Sequence, residues 1–388
     1  MSAMVQIAID GNEANTSQRV GSNVYAFELL TALEKLTADQ PEVQWTVLLS
    51  HTAVTDLPKA RAGWTYTIVT PRRFWTQWAL PIHLFLYQKK YNVFFTPGHY
   101  APRLSAVPYI SSVMDLAFIH FPQQFRKKDT AQLTEWTRYS IKHAKKVLAI
   151  SHFTQQEVIK YYHRQPADVF VAYPALPTGS IIHNQEKVPA NWIKKILNTS
   201  APFFLYVGTL QPRKNLVTLV KAYEKFCQKF PQQKFETPHL LIAGKVGWLA
   251  EETLRTVNRS PVKEKIHLLG YVSEAEKYQL YRKSLCTILI GLYEGFGLPP
   301  LEAMAAGTLP VVANTSSLAE VVGEAGFSVS PKNTTEIAEV LEKITHLKAK
   351  QRGALLKKGR QQVKAFSWQT TAEIILTQLL EVATAYAK

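Results

Sequence analysis

Glu294 and Glu302 stand eight positions apart in the stretch EGFGLPPLEAMAAGTLPVVAN, residues 294 to 314. Between them a glycine-rich turn (Gly295, Phe296, Gly297) runs through Leu298 into Pro299 and Pro300. Beyond them a helical run closes at Gly307, before the apolar strand Leu309 to Ala313. Proline is tolerated in a first helical turn, where its missing N–H would be unpaired anyway, and glycine suits the left-handed position after a last turn. The string therefore predicts loop, short helix, strand. The helix start offers free N–H groups and a positive dipole end, beside glycines that let a ligand approach the backbone, so it is a natural phosphate site. Glu302, expected in the first turn, and Glu294, in the preceding loop, flank that site. Carboxylates do not hold phosphate; they accept hydrogen bonds from hydroxyls, as on a ribose or a hexose. Together the parts point to a sugar nucleotide. The alternative is an ordinary strand-turn-helix corner with solvated acids.

A second group of chemistry-bearing residues lies in GTLQPRKNL, residues 208 to 216. Arg213 and Lys214 follow a strand end and precede a helix. A diphosphate leaving group develops negative charge as a glycosidic bond breaks, and fixed cations stabilise that charge without a metal. Cations at a helix start oppose its dipole, so local stability alone would not put them there. A basic helix start with solvated Arg and Lys is the alternative.

Parallel sheets would position both groups. Apolar, β-branched runs recur at Val5–Asp10, Gln44–Ser50, Tyr66–Thr70, Val93–Pro97, Tyr109–Asp115, Val147–Ser151 and Val169–Tyr173 in the first half. In the second half they are Phe203–Thr209, His239–Lys245, Ile266–Val272, Cys286–Leu292, Leu309–Ala313 and Phe327–Pro331. Helical patterns such as Asn23–Thr37, Thr130–Lys146, Leu216–Phe230, Glu274–Lys283 and Thr335–Leu347 alternate with them. Strands alternating with helices predict an α/β protein with parallel, doubly wound sheets. The stretch Pro174–Pro202 lacks a core pattern and reads as a linker, with a helix around Trp192–Leu197 opening the second domain. The expected division is 1–180, 190–365 and a final helix in 366–388. Ligands of open α/β sheets bind at the carboxyl ends of the strands, so two such domains would face each other across a cleft.

The composition narrows the class. With 388 residues the chain is long enough for two domains with substantial cores. The two cysteines, Cys227 and Cys286, form no disulfide framework and have no metal-ligand spacing, which makes a reducing compartment the default. The start MSAMVQIAID lacks a signal-type pattern, and no stretch reaches the length of a membrane span; a cytoplasmic protein is expected. A net charge of +16 attracts polyanions. It is spread over both halves: 18 Lys/Arg less 12 Asp/Glu give +6 in residues 1–180, and 27 less 17 give +10 in the remainder. No nucleic-acid-binding motif accompanies it, so nucleic acid is not an expected partner.

The 294–314 string resembles the E-x7-E signature of retaining glycosyltransferases of family 4, whose fold is GT-B. The resemblance covers nearly the whole chain and is strongest over residues 203–331. It implies that Glu294 meets the transferred sugar, Glu302 the donor ribose, and Arg213 with Lys214 the diphosphate, with N–H groups around Gly297 and Leu298 cradling phosphate. GTLQPRKNL resembles the family's phosphate-clamping turn, with Thr209 where many members have Arg. The loop GNEANTSQRVGSNVYAFELL, residues 11 to 30, resembles the first-domain glycine loop but keeps one of the usual glycines, Gly21; a plain turn glycine is the alternative. SSVMDLAFIHFP, residues 111 to 122, resembles a strand end that commonly reads His-Asp. Here Met114 replaces the His, Asp115 remains, and His120 lies five residues on. Asp115 either orients sugar or acceptor, or caps the following segment. AGKVGW (243 to 248) and HLLGYVSEAEKYQLYRKS (267 to 284) resemble loops around ribose and base. They bring Lys245 to sugar or phosphate and Gly270–Val272 to the base. Tyr271 suits either a nucleotide contact or a half-buried packing role.

The resemblance thus implies a retaining, metal-independent hexosyltransferase with no cofactor. Its donor would be a nucleoside diphosphate sugar and its acceptor a hydroxyl of a glycan, a lipid-linked glycan or a protein. Met114 invites a silent sugar-nucleotide-binding protein as the alternative, and a GT-B epimerase is a further one. The run RRFWTQWALPIHLFLYQKKY, residues 72 to 91, has basic ends and aromatic anchors that suit peripheral contact with an anionic membrane. Apolar residues crowd its middle all round, so a buried core helix is the preferred reading.

Overall fold

The computed structural model describes residues 4–98, 100–125, 127–179, 188–189, 191–229 and 236–386. The chain divides into two compact units, Met1–Pro177 with Phe366–Lys388, and Thr178–Ala365. The boundaries expected at residues 180 and 190, and the expected helix end at Phe230, lie outside the described residues.

The first unit holds a seven-stranded sheet of β1 (Val5–Asp10), β2 (Val43–Leu49), β3 (Trp64–Ile68), β4 (Val93–Thr96), β5 (Tyr109–Val113), β6 (Lys146–Ala149) and β7 (Val169–Val171). Their order is β3-β2-β1-β4-β5-β6-β7, with every named pair parallel. The second unit holds six strands: β8 (Phe203–Val207), β9 (His239–Ala243), β10 (Ile266–Gly270), β11 (Cys286–Leu289), β12 (Leu309–Ala313) and β13 (Phe327–Val329). These run β10-β9-β8-β11-β12-β13, again all parallel. The central strands β4, β5, β9, β11 and β12 are buried along their whole length. Helices cover both faces of a sheet of this kind, so such strands read as unbroken apolar runs.

Helix Leu216–Lys229 shows how one element is held. Leu216, Leu219, Val220, Tyr223 and Phe226 recur at helical spacing and all are buried against Phe204, Leu240 and Ile288. Each fully buried side chain of this size contributes roughly 1.5–3 kcal/mol of transfer free energy. Several strands end two or three residues before the expected point, as at Val207, Ala243 and Val113. The residues beyond them form the loops in which the chemistry is expected, with one parallel bridge, Leu210 to Val246, beyond the ends of β8 and β9.

The last helix, Trp368–Ala385, belongs to the first unit and packs on helix Ser22–Leu36. Ser367 caps it, and Trp368 donates its Nε1–H to Leu176 O at 2.9 Å while its ring meets Tyr25 at 5.6 Å. Ile375, Leu379 and Ala383 form its buried stripe. Lys146 at the start of β6 donates to Gln378 Oε1 at 2.6 Å and pairs with Glu381.

The segment 72–91 departs from the expected core helix. It forms a π-turn at Trp75–Ala79 followed by a helix at Leu80–Leu86. Trp75, Ala79, Leu80 and Leu84 are buried, but Phe74, Trp78, Ile82, Phe85 and Leu86 are exposed. One apolar face meets the sheet and a second apolar face meets solvent.

Candidate active site

In an open parallel sheet the binding crevice lies where the strand order reverses. In the second unit that point falls between β8 and β11. The loops leaving these two strands carry Arg213, Lys214 and Glu294.

The chain turns after β8 with glycine for a steric reason. Gly208 has φ 153 and Gly244, after β9, has φ 150; a Cβ on Gly244 would lie 1.9 Å from Gly208 O. Thr209 follows, and its carbonyl accepts from the buried Tyr206 phenol at 3.3 Å. Burial, with the Glu294 charge nearby, raises that phenol well above its usual range, so it remains a donor. A 3₁₀ turn at Pro212–Lys214 then leads to Asn215, whose φ is 61. The Asn215 amide donates to Ile290 O at 3.1 Å and Pro331 O at 2.6 Å. Leu292 N–H donates to Arg213 O at 2.8 Å. The basic turn is thereby stitched to the loop after β11.

That stitching brings the charged groups into contact. Lys214 Nζ lies 2.5 Å from Glu294 Oε1, and Arg213 Nη1 lies 3.6 Å from Glu294 Oε2. Arg213 also donates to Tyr293 O at 2.8 Å. The side chains of Arg213, Lys214 and Glu294 are 16%, 17% and 10% exposed, so water screens them weakly. Two cations around one carboxylate leave the cluster net positive. Ser317 Oγ lies 2.8 Å from both Glu294 O and Phe296 O and shares its single hydroxyl proton between them, which ties the loop together.

Gly297 caps the helix Leu298–Ala306 with φ 108, and a Cβ there would meet Leu318 at 2.6 Å. Pro299 and Pro300 then occupy the second and third helical positions and have no N–H. Of the four N–H groups a helix start leaves unpaired, those of Gly297 and Leu298 remain. Gly295 and Phe296 are buried in the loop before them. Glu302 falls one turn later than expected, because Gly297 is the cap and the first turn is Leu298, Pro299 and Pro300.

Glu302 is buried and held by two residues that sequence reasoning did not single out. Lys277 Nζ donates to its Oε1 at 2.9 Å and Tyr281 OH to its Oε2 at 2.7 Å. Both come from helix Glu274–Lys283, one turn apart, behind the Ser273–Glu276 capping box. Burial acts to lower the Lys277 ammonium, but the carboxylates of Glu302 and Glu274 outweigh it and hold it above the ordinary lysine range. A carboxylate offers about four acceptor positions, so roughly two on Glu302 stay available for a diol. The i,i+4 spacing of Lys277 and Tyr281 was visible; the helix they face was not.

Lys245 and Tyr271 are both exposed, with Lys245 Nζ 4.9 Å from the ring centroid. At 69% exposure Tyr271 is no packing residue, which removes that alternative. Val272 turns its side chain to the cluster around Phe203 and Tyr281, leaving only its backbone for a ligand.

Gly21 and Asp115 belong to the first unit. Gly21 has φ 55 at the cap of helix Ser22–Leu36, with open space where a Cβ would stand. Behind it Glu13 accepts from Ser22 Oγ at 3.1 Å and Asn23 Nδ2 at 2.8 Å. Asp115 Oδ1 accepts from Ala117 N–H at 3.0 Å, just before the short helix Ala117–His120, whose cap is Leu116. Met114 is buried, and His120 is paired with Glu157 and stacked edge-on against Tyr161.

The family model for Glycosyl transferases group 1 matches residues 190–362, which include every second-unit residue described above. The O-antigen chain mannosyltransferase B of Escherichia coli is 30% identical over 319 residues, 81% of this chain and 79% of that protein. The chain belongs to the group 1 glycosyl transferases. This glycosyltransferase spans only 31% of a larger relative, the serotype-specific mannosyltransferase WbdA of Escherichia coli, at 28% identity over 264 residues. Sucrose-phosphate synthase from Thermosynechococcus elongatus superposes on it with a TM-score of 0.69 at 17% identity, covering 98% of this chain and all of that one. Anabaena Alr3699/HepE, solved in complex with UDP and glucose, gives 0.68 at 18% identity, covering 97% and 100%. These likenesses give the fold, GT-B.

Proposed function

We propose that this glycosyltransferase moves a hexose, of mannose or glucose type, from a nucleoside diphosphate sugar to a hydroxyl of a glycan or lipid-linked acceptor, with retention and without a metal. The observation that carries the reading is the contact of Arg213 and Lys214 with Glu294 at the strand-order reversal. The two cations hold the diphosphate and stabilise the charge it gains as the glycosidic bond breaks. The N–H groups of Gly297 and Leu298 add donors for the same oxygens. Glu294, released from Lys214 by the arriving phosphate, accepts from hydroxyls of the transferred sugar. Glu302 accepts from the ribose, Lys245 approaches the sugar or phosphate, and Tyr271 and the Val272 backbone border the base. Asp115 is assigned to orienting the sugar or the acceptor, and Gly21 to the diphosphate.

The choice of hexose draws on the mannosyltransferase activity in the name of the Escherichia coli relative and on the UDP and glucose bound by the Anabaena protein. The test is a transfer assay with GDP-α-mannose and UDP-α-glucose as donors and glycan acceptors, the product anomer being read by NMR. An α product supports the proposal; a β product from either donor overturns the retaining mechanism.

A further inference from the structure

The second apolar face of segment 72–91 is not absorbed by the donor site. Trp78, Ile82, Phe85 and Leu86 recur at helical spacing on the side opposite the buried Trp75, Ala79, Leu80 and Leu84. Trp78 is 64% exposed and Phe85 61%. Trp78, Ile82 and Phe85 form one wall of a groove of about 640 Å³, whose other wall includes Leu104, Trp136 and Tyr139. Leu104 is 84% exposed and Phe74 is also open, yet both have left-handed backbones, φ 58 and 56. Bulky side chains are disfavoured in that conformation, so folding alone does not reward apolar residues there. Tyr139 OH, accepting from Leu104 N–H at 2.8 Å, holds the leucine outward.

The charge on the segment and its flanks has one sign, and the exposed acid beside the groove's other wall, Glu135, is paired with Arg138 at 3.6 Å. Between Asp56 and Asp115 the sequence contains no acidic residue. Arg72 and Arg73 precede the apolar run, Lys89 and Lys90 follow it, and Arg103 borders the groove; all five are exposed. A second copy of the same face would oppose like charge to like charge. Bare aliphatic side chains such as Ile82, Leu86 and Leu104 find no counterpart on a nucleic acid. An anionic bilayer satisfies both features, because its headgroups meet the cations and its interfacial region takes up the aromatic and aliphatic groups.

We infer that the face built from residues 72–90 and 103–104 docks the first unit on an anionic lipid bilayer. The inference is independent of the donor chemistry, and its test needs neither donor nor acceptor. Full-length protein is sedimented with vesicles of phosphatidylcholine alone and of phosphatidylcholine with phosphatidylglycerol in equal parts, at low and high salt. Binding is expected to the anionic vesicles, to weaken at high salt and to fall at least about tenfold on neutral ones. Trp78→Ser with Phe85→Ser should abolish it, and Arg72→Gln with Arg73→Gln should weaken it by about fivefold per charge. All four positions are exposed, and circular dichroism with thermal melting checks that the variants fold. Three results would each overturn the inference: no binding of folded protein to anionic vesicles, binding unchanged in Trp78→Ser/Phe85→Ser, or a dimer of the free protein that those substitutions split.

Discussion

Lys214 Nζ lies 2.5 Å from Glu294 Oε1, joining the turn after β8 to the loop after β11 across 80 residues of sequence. The contact puts a fixed cation and a hydroxyl-accepting carboxylate at one point, where a sugar phosphate needs both. Neither group gains from the other in helix stability, and each is mostly buried. In the proposed function an arriving diphosphate displaces this pairing.

The clamp on Glu302 gives a specific expectation. Tyr281→Phe removes the donor to Oε2, and Lys277→Met removes the charge beside Oε1. A charge-assisted hydrogen bond is worth about 1.5–3 kcal/mol, so each substitution should raise donor KM by roughly tenfold to a hundredfold while kcat falls less. The preference for a nucleoside diphosphate over its 2′,3′-dideoxy form should vanish in Glu302→Ala. An undiminished preference in that variant would remove Glu302 from the ribose.

Asp10, at the end of β1, links the first unit to pH. Burial, reinforced by the charge of Glu13 and opposed by hydrogen bonds from Asn12, pushes its carboxyl up to about 7. In the unfolded chain an aspartate ionises near pH ~4. Between those values the folded state keeps a proton that the unfolded state has lost, so stability falls as pH rises from about 4 to about 7 and levels off above. Asp10→Asn cannot ionise and should gain on the wild type over that window, by an amount on the order of 4 kcal/mol. Denaturant unfolding at pH 5, 6, 7 and 8 measures it. A gap that stays constant with pH contradicts the assignment.

Met114 and Asp115 test the first unit. Met114 is buried, so Met114→His would place a polar ring in an apolar site and should reduce transfer. Transfer appearing only in that variant would favour a silent binding protein. Asp115→Ala should also slow transfer; a wild-type rate would confine Asp115 to its hydrogen bond with Ala117 N–H.

Much of this architecture was legible because the chemistry sits on loops that follow unmistakably apolar strands. Both parallel sheets and the loops carrying Arg213, Lys214, Glu294 and Gly297 were read from local pattern alone. Tertiary contacts escaped it. Nothing local reveals that Lys277 and Tyr281 face Glu302, since the contact depends on how two successive helices pack across the strand between them. The segment 72–91 misled because a helix apolar all round is ordinarily buried. Here a π-turn and Pro81 divide it into one face for the sheet and one for solvent. Glu302 lies a turn later than the position of the prolines suggests, because left-handed Gly297 caps the helix and the prolines fall inside its first turn.

The most direct test of the donor site is a calorimetric titration of the full-length protein with GDP, UDP and ADP, at moderate salt and without metal. Selective binding of one of them is expected, weakened about tenfold to a hundredfold in Lys214→Ala and in Glu302→Ala. Absence of binding to all three by the folded protein, or binding that both substitutions leave unchanged, would contradict the account.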